Sequence, residues 1–240
     1  MNTNKLKMLA LAGLVISGAA QAEAMNDAIN VLRASGAVIV DPADIPSIVD
    51  PTPANNFLTF GVCSGLANAK GSDTNCSVVL KYGMKRDFNA YLQSLGASAP
   101  VKSLTELRQY NLANRPRNAI KYDQAQLDIS DEMSVEGDRA RYQQDRLRDV
   151  FLAGTHGIDE VMATQRLDAL LFPGSSGANL AARPGYPTVI VPFGAMSNSS
   201  NPSNSSPPLG VAFTGTSRSS IESISTKIVA KKRKIPKTNN

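Results

Sequence analysis

The sequence predicts an α/β fold, because helical segments alternate with short strands that are apolar throughout. Residues 24–35 have apolar side chains at helical spacing, Gly36 stands where a C-cap glycine belongs, and the apolar strand 37–40 follows. Strands at 167–172 and 188–191, each stopped by proline, repeat this pattern later in the chain. Such strands are typical of sheets buried between helices.

The composition limits the classes of function. With 240 residues, of which 42% are hydrophobic and 19% charged, the chain is able to bury a core. Much of the net charge of +5 lies in residues 231–240, so we expect no nucleic-acid partner. His156 is the single histidine, which excludes a metal site with two or more histidine ligands. We expect neither a metal nor a cofactor.

Residues 1–22 have the pattern of a cleaved signal peptide. A basic start is followed by an apolar run from Met8 to about Ala20 and by a small-x-small sequence that ends at Ala22. The run is shorter than the roughly 20 apolar residues that a membrane span needs. We therefore expect a secreted or periplasmic protein that has no membrane association once the leader is removed.

The two cysteines are predicted to form a disulfide. A polar segment with two glycines separates Cys63 from Cys76, so the chain is able to bend back and bring the sulfurs together. An exported protein meets an oxidising compartment. A bridge that closes so short a loop stabilises the fold by about 3 kcal/mol in the chain-entropy model. Two unrelated thiols are the alternative.

The middle of the chain is predicted to be largely helical, after a proline-rich extended loop at 41–53. Residues 78–95 form an amphipathic helix, and Ser103 with Glu106 has the capping-box pattern of a second helix. Residues 134–166 form a long charged helix. Its charged residues are interpreted as a solvated face with i,i+4 pairs: Glu136, Asp138, Arg139, Arg141, Asp145, Arg146, Arg148 and Asp149.

The last part of the chain is predicted to be less regular. A flexible Ser/Asn/Pro loop at 197–208 precedes a short strand at 211–213. A weak helical period runs through 219–230, and residues 231–240 form a basic disordered tail.

A strand-end loop, Gly174-Ser175-Ser176-Gly177, is the best candidate for a binding site. It offers two hydroxyls and backbone N–H groups to a carbonyl or a carboxylate, but it contains no base. A tight loop without a binding role is the alternative interpretation.

Two further residues are of catalytic type. Cys63 lies in the outline of a nucleophile elbow at 61–65, but this stretch has neither the strand before it nor the helix after it that an elbow needs. His156 is interpreted as a surface or hydrogen-bonded structural residue in preference to a general base. The residues themselves therefore give no convincing nucleophile–base pair.

Six segments in order, from about Ala28 to Thr216, carry a resemblance to a known family. They are VLRASGAVIVDPADIP, KYGMKRDFNAYLQSLG, SLTELRQYN, GTHGIDEVM, LDALLFPGSSGANLAARPGYPTVIVPFG and GVAFTGT. Their order, and above all the pairing of LDALLFP with GYPTVIVP, resembles the C-terminal half of the amidase-signature enzymes.

The resemblance implies a partial mixed sheet flanked by helices, and a family reaction that hydrolyses carboxylic amides. The family uses a serine nucleophile, a second serine in a cis peptide, a proton-relaying lysine and a glycine-rich oxyanion loop. In complete members these precede the region of resemblance, where this sequence has its predicted leader. The family's glycine- and serine-rich run does not occur in the 240 residues, so no catalytic residue is assigned. The loop Gly174–Gly177 is expected to face the family's active-site cleft.

Three functional hypotheses follow for a partial amidase-like α/β domain at 23–230. The first is an exported, truncated amidase-family polypeptide that is inactive alone. The second is an active amidase, as part of a split enzyme or of a longer enzyme shortened by a faulty gene model. The third is a secreted, non-catalytic binding protein on an amidase scaffold. A small-molecule amide is an expected partner only where the missing half is supplied; a complementing chain or self-association is the other expected contact.

Overall fold

The computed structural model describes residues 7–10, 19–65, 73–195 and 208–216, with the backbone alone at 7–10, 19–24, 194–195 and 208. The chain forms two compact units. The sheet unit comprises Met1–Asn56 and Val150–Asn240, and the helical unit comprises Phe57–Asp149.

The described elements are short strands and helices, with a largely helical middle between β4 and β5, as the sequence predicts. The strands are β1 (Lys7–Ala10), β2 (Val38–Val40), β3 (Gly61–Val62), β4 (Cys76–Ser77), β5 (Ala169–Pro173), β6 (Thr188–Ala195) and β7 (Pro208–Thr214). The α-helices are α1 (Ala19–Ala34), α2 (Pro46–Val49), α3 (Val79–Ser94), α4 (Leu104–Ala113), α5 (Ala125–Asp131), α6 (Arg139–Val150), α7 (Glu160–Gln165) and α8 (Ala178–Ala182). A π-helical segment (Phe151–Asp159) joins α6 to α7, and short 3₁₀ turns cover Pro53–Asn55, Phe57–Thr59 and Arg115–Arg117. No helix within the described ranges is long and apolar enough to cross a bilayer.

The sheet unit is built on a mixed sheet with the strand order β2-β1-β5-β7-β6. Strands β2, β1 and β5 are parallel, whereas β7 pairs antiparallel with both β5 and β6. Residues 169–172 of β5 are buried, as expected for a central strand covered on both faces. The predicted α/β class with a mixed sheet is confirmed.

The predicted helix–glycine–strand unit is confirmed and extended at its start. Gly36 adopts a φ of +90°, and the Ala37 N–H donates to the Leu32 carbonyl, which closes α1 as a C-cap. Strand β1 precedes α1, so that β1, α1 and β2 form a parallel βαβ unit. The sequence did not predict β1, because Lys7–Ala10 falls inside the predicted leader.

Helix α1 covers one face of the sheet. Its buried side chains recur at helical spacing, and each fully buried large side chain contributes about 1.5–3 kcal/mol. The cluster they form with the sheet consists of Met25, Ala28, Ile29, Leu32, Ala169, Leu171, Val191, Val211 and Phe213.

The proline-rich stretch 41–53 is the predicted loop only in part, because residues 46–49 are helical. Pro46 occupies the first turn of α2, and Pro53 begins a 3₁₀ turn. Proline is compatible with both places because its fixed φ suits the first helical position, where its missing N–H costs no hydrogen bond.

The helical unit contains the predicted disulfide. Cys63 and Cys76 are bridged, with their Cα atoms 5.0 Å apart, beside the two-stranded parallel pairing of β3 with β4. Ser103 caps α4 as predicted, since its Oγ accepts from the Glu106 N–H at 3.2 Å. The Glu106 carboxylate accepts from the N–H of Lys102, one residue before the cap.

Helix α3 confirms the helix predicted at 78–95, but only part of its apolar stripe is buried. Tyr82 and Leu92 are enclosed, whereas Tyr91 and Leu95 are 56% and 47% exposed. The stripe is wider than the face that packs against a neighbour, so its flank stays in solvent.

Two charged residues of α6 do not lie on the solvated face that the sequence predicts. Asp145 and Asp149 are 5% and 3% exposed. Asp145 accepts from the Val78 N–H at 3.0 Å and from Arg141 Nε at 2.8 Å, and Asp149 accepts from Ser77 Oγ at 2.6 Å. These carboxylates are buried because they satisfy polar groups that follow the disulfide.

The remaining predictions lie largely outside the described residues. They are the helix at 219–230, the tail at 231–240 and all but one residue of the loop at 197–208. The exception is Pro208, which begins β7.

Replacing Asp145 tests the contact between its buried carboxylate and the Val78 N–H. We expect Asp145→Ala to lower the free energy of unfolding by about 1–3 kcal/mol, because it leaves the buried Val78 N–H without a partner. Glu136→Ala, at an exposed residue of the same predicted charged face, should change it by less than about 0.5 kcal/mol. Urea denaturation measures both, and equal effects of the two substitutions would contradict the assignment.

Candidate functional site

The loop Gly174–Gly177 begins at the carboxyl end of strand β5, the end of a parallel strand at which ligands bind in open α/β sheets. Gly174 adopts a φ of +56°, and its N–H donates to the Gly210 carbonyl of β7 at 2.8 Å. The positive φ favours glycine at this position. The loop is therefore fixed to the sheet at its first residue.

The two hydroxyls of the loop differ in their surroundings. Ser175 is exposed. The Ser176 hydroxyl donates to the Pro173 carbonyl at 2.8 Å, and the Ser176 N–H reaches the same oxygen at 3.2 Å. No lysine of the described ranges hydrogen-bonds to either hydroxyl. The hydroxyl proton of Ser176 thus stabilises the turn, and no base of the described ranges hydrogen-bonds to this hydroxyl.

Gly177 is required by close packing. A Cβ at this residue would lie 2.4 Å from the ring of Phe172, which is 3% exposed. The ring therefore fills the space behind the loop. The prediction that this loop faces a substrate cleft remains a prediction.

His156 lies in the π-helical segment, and both of its ring nitrogens meet carboxylates. Nδ1 is 2.8 Å from Glu160 Oε2, and Nε2 is 3.0 Å from Asp50 Oδ2. The ring also stacks on Phe151, with centroids 5.5 Å apart. A neutral imidazole donates from one nitrogen only, so two carboxylate partners favour the doubly protonated cation.

The electrostatics agree with this geometry. Partial burial acts to lower the pKa of His156, but the hydrogen bonds to Glu160 and Asp50 outweigh it and raise the pKa above 6.5. The N–H of Thr52 donates to Asp50 at 2.7 Å, and this bond, together with His156, lowers the pKa of the Asp50 carboxyl. His156 therefore acts as a cationic bridge with no nitrogen left to accept a substrate proton.

The π-helical segment makes a second polar contact. Tyr186 Oη donates to Asp159 Oδ2 at 2.6 Å, and burial, reinforced by this bond, raises the pKa of Tyr186 to about 12. The packing beside this contact is close, because a Cβ at Gly154 would lie 3.2 Å from Pro184 and 3.4 Å from Tyr186 Oη. Neither Tyr186 nor Asp159 is predicted from the sequence as a site residue.

The other candidates for chemistry are engaged elsewhere. Cys63 is in the disulfide and is not available as a nucleophile. The buried lysine of the described ranges is Lys81 in the helical unit, which pairs with Asp73 at 2.5 Å. Within the same ranges, no three histidine, cysteine, aspartate or glutamate side chains are grouped to hold a metal ion.

Comparison with known proteins links this fold to amidases, although no protein-family model matches the chain. A probable amidase of Arabidopsis thaliana is 26% identical over 188 residues, which are 78% of this chain and 31% of that protein. A solved amidase family protein of Bacillus anthracis superposes with a TM-score of 0.69 at 20% identity, over 98% of this chain and 40% of the other.

The native peptide amidase of Stenotrophomonas maltophilia superposes with a TM-score of 0.65 at 25% identity, over 95% of this chain and 42% of that enzyme. The chain is thus homologous to amidases over most of its length and has their fold. It spans less than half the length of these relatives.

Adding a methyl group at Gly177 tests the packing of the loop. We expect Gly177→Ala to lower the free energy of unfolding by about 1–3 kcal/mol, because Phe172 is enclosed and has to move off its rotamer. Ser175→Ala at the exposed loop position serves as the control and should change stability by less than about 0.5 kcal/mol. Thermal denaturation followed by circular dichroism separates the two, and a neutral Gly177→Ala would contradict the packing.

The histidine bridge predicts a pH dependence of stability. Because the pKa of His156 is raised on folding, its contribution is complete below about pH 6.5 and is lost as pH rises through the raised pKa. We expect the difference in free energy of unfolding between the wild type and His156→Gln to shrink as the pH rises above about 6.5. Urea denaturation between pH 5.5 and 8.5 measures it, and parallel pH profiles for the two proteins would contradict the bridge.

Proposed function

We propose that this chain is an exported polypeptide on an amidase fold that has no complete catalytic site of its own and hydrolyses no amide unaided. The observation that carries the proposal is that, within the described residues, neither loop hydroxyl lies beside an available proton acceptor. The Ser176 hydroxyl donates to a carbonyl, and both nitrogens of His156 are occupied by carboxylates.

The chemistry of amide hydrolysis explains why this matters. A serine hydroxyl becomes a nucleophile only when a base removes its proton, and the oxyanion that forms needs aimed N–H donors. The absence of a glycine- and serine-rich catalytic run from the 240 residues supports the same conclusion. Homology to amidases indicates a small carboxylic amide as the substrate class, if a complementing chain supplies the catalytic groups.

The export part of the proposal rests on the leader and on the packing of α1. The basic start, the apolar run and the small-x-small sequence indicate cleavage after Ala22. Among the residues of α1 whose side chains the structure describes, those in the sheet cluster begin at Met25, so cleavage after Ala22 leaves them in the processed chain. We place the processed protein in the periplasm or outside the cell.

An amide-hydrolysis assay tests the catalytic part. We expect the purified full chain to release no ammonia from simple aliphatic and aryl amides above the rate of a protein-free control. Ser175→Ala and Ser176→Ala should leave that background unchanged. Turnover that a serine-directed fluorophosphonate abolishes would overturn the proposal, and its loss in one of the two alanine variants would identify the nucleophile.

Mass spectrometry of protein secreted by a bacterial host tests export. We expect the exported chain to begin at Glu23, because signal peptidase requires the small residue that Ala22 supplies. Ala22→Leu should block cleavage and retain the leader, whereas Ala22→Ser should be processed. A wild-type chain that keeps residues 1–22 would contradict the assignment of a leader.

A further inference from the structure

Strand β1 occupies the position in the sheet between β2 and β5. Its backbone pairs on one edge with β2, in the register Lys7 to Val38 and Leu9 to Val40. On the other edge it pairs with β5, in the register Met8 to Ala169. Both pairings are parallel, so one four-residue segment joins two strands that otherwise have no common partner.

Cleavage after Ala22 removes this strand and leaves a gap. Neighbouring strands lie about 4.8 Å apart, so β2 and β5 enclose a space of about 10 Å, the width of one strand. The N–H and C=O groups that β1 satisfies are then unpaired along both sides of this space. With β1 in place, Ala169, Leu170 and Leu171 of β5 are fully buried and β2 is half-buried, so the β5 side of the gap lies in the interior of the unit, where unpaired backbone groups are costly.

The gap determines the chemistry of what fits into it. The occupant must be an extended segment of at least four residues, parallel to both neighbours, because only this arrangement satisfies both edges. It must also be apolar on both faces, since β5 is buried on both faces, and it must lack proline. A small molecule does not meet these requirements, whereas a polypeptide strand does.

We propose that the gap between β2 and β5 is the docking site for an apolar, parallel β-strand of a second polypeptide, and that residues 7–10 hold this place until they are removed. The solved amidases extend well beyond the region matched here, which is 40–42% of their length, so the second polypeptide is one that supplies the remainder of an amidase fold. This inference rests on the leader cleavage proposed above.

The docking site is testable in the full chain. Leu9→Pro withdraws β1 from the gap, because proline has no N–H to donate and is excluded from central strands. Leu9→Ile is the matched control, since it keeps the strand. The probe is a fluorescein-labelled peptide of residues 5–12, KLKMLALA, and the control probe is the same peptide with proline in place of Leu9.

We expect the peptide to bind the Leu9→Pro chain saturably and at least tenfold more tightly than it binds the wild type or Leu9→Ile, whose gaps are filled. The control peptide should bind none of them. If Leu9→Pro is unfolded alone, the peptide should restore a cooperative thermal transition and hydrogen-exchange protection at Val38–Val40 and Ala169–Phe172.

Two results would overturn the inference. One is a Leu9→Pro chain that neither binds the peptide nor regains a transition with it. The other is a dimer of this variant, seen by sedimentation, that the peptide does not dissociate, because the occupant is then a second copy of the chain. The peptide assay measures neither amide turnover nor leader cleavage. A negative result therefore contradicts the docking site without contradicting the proposed function, and the reverse also holds.

Discussion

The sheet unit depends on the pairing and burial of strand β5. Residues 169–172 are buried, and their backbone is paired with β1 on one edge and β7 on the other. Helix α1 packs over this strand, and the loop Gly174–Gly177 leaves from its carboxyl end. A strand so placed needs a neighbour on each side, because its backbone has no access to water. The segment that occupies the position of β1 therefore determines whether the backbone of β5 is paired on both edges.

Within the described residues, polar side chains near the end of β5 and in the π-helical segment make structural hydrogen bonds. Ser176 uses its hydroxyl to close the turn after β5, and His156 uses both nitrogens to bridge Asp50 and Glu160. The first contact stabilises the turn after β5, and the second links the π-helical segment to Asp50. The chain is thus homologous to amidases, while Ser176 and His156 make structural hydrogen bonds within the described residues.

In the helical unit, a disulfide and two buried carboxylates act on one short segment. Cys76 is tied to Cys63, and the next residues, Ser77 and Val78, are held by Asp149 and Asp145. A small pair of strands has few hydrogen bonds of its own, so covalent and charged contacts supply its stability. Helix α6 therefore has charged residues on its buried face as well as on its exposed face. Its sequence pattern does not show which of these residues are buried.

The sequence by itself determined what depends on neighbours in the chain: the C-cap at Gly36, the Ser103 cap, the apolar strands and the loop after β5. It also contained the His156–Glu160 pair at i,i+4, although Asp50, 106 residues away from the histidine, could not be read from it. Only the tertiary structure decided that Asp145 is buried and that residues 7–10 lie between β2 and β5. The reason is physical: helix periods and caps are set within a few residues, whereas burial of a charge and the register of parallel strands are set by segments distant in the chain.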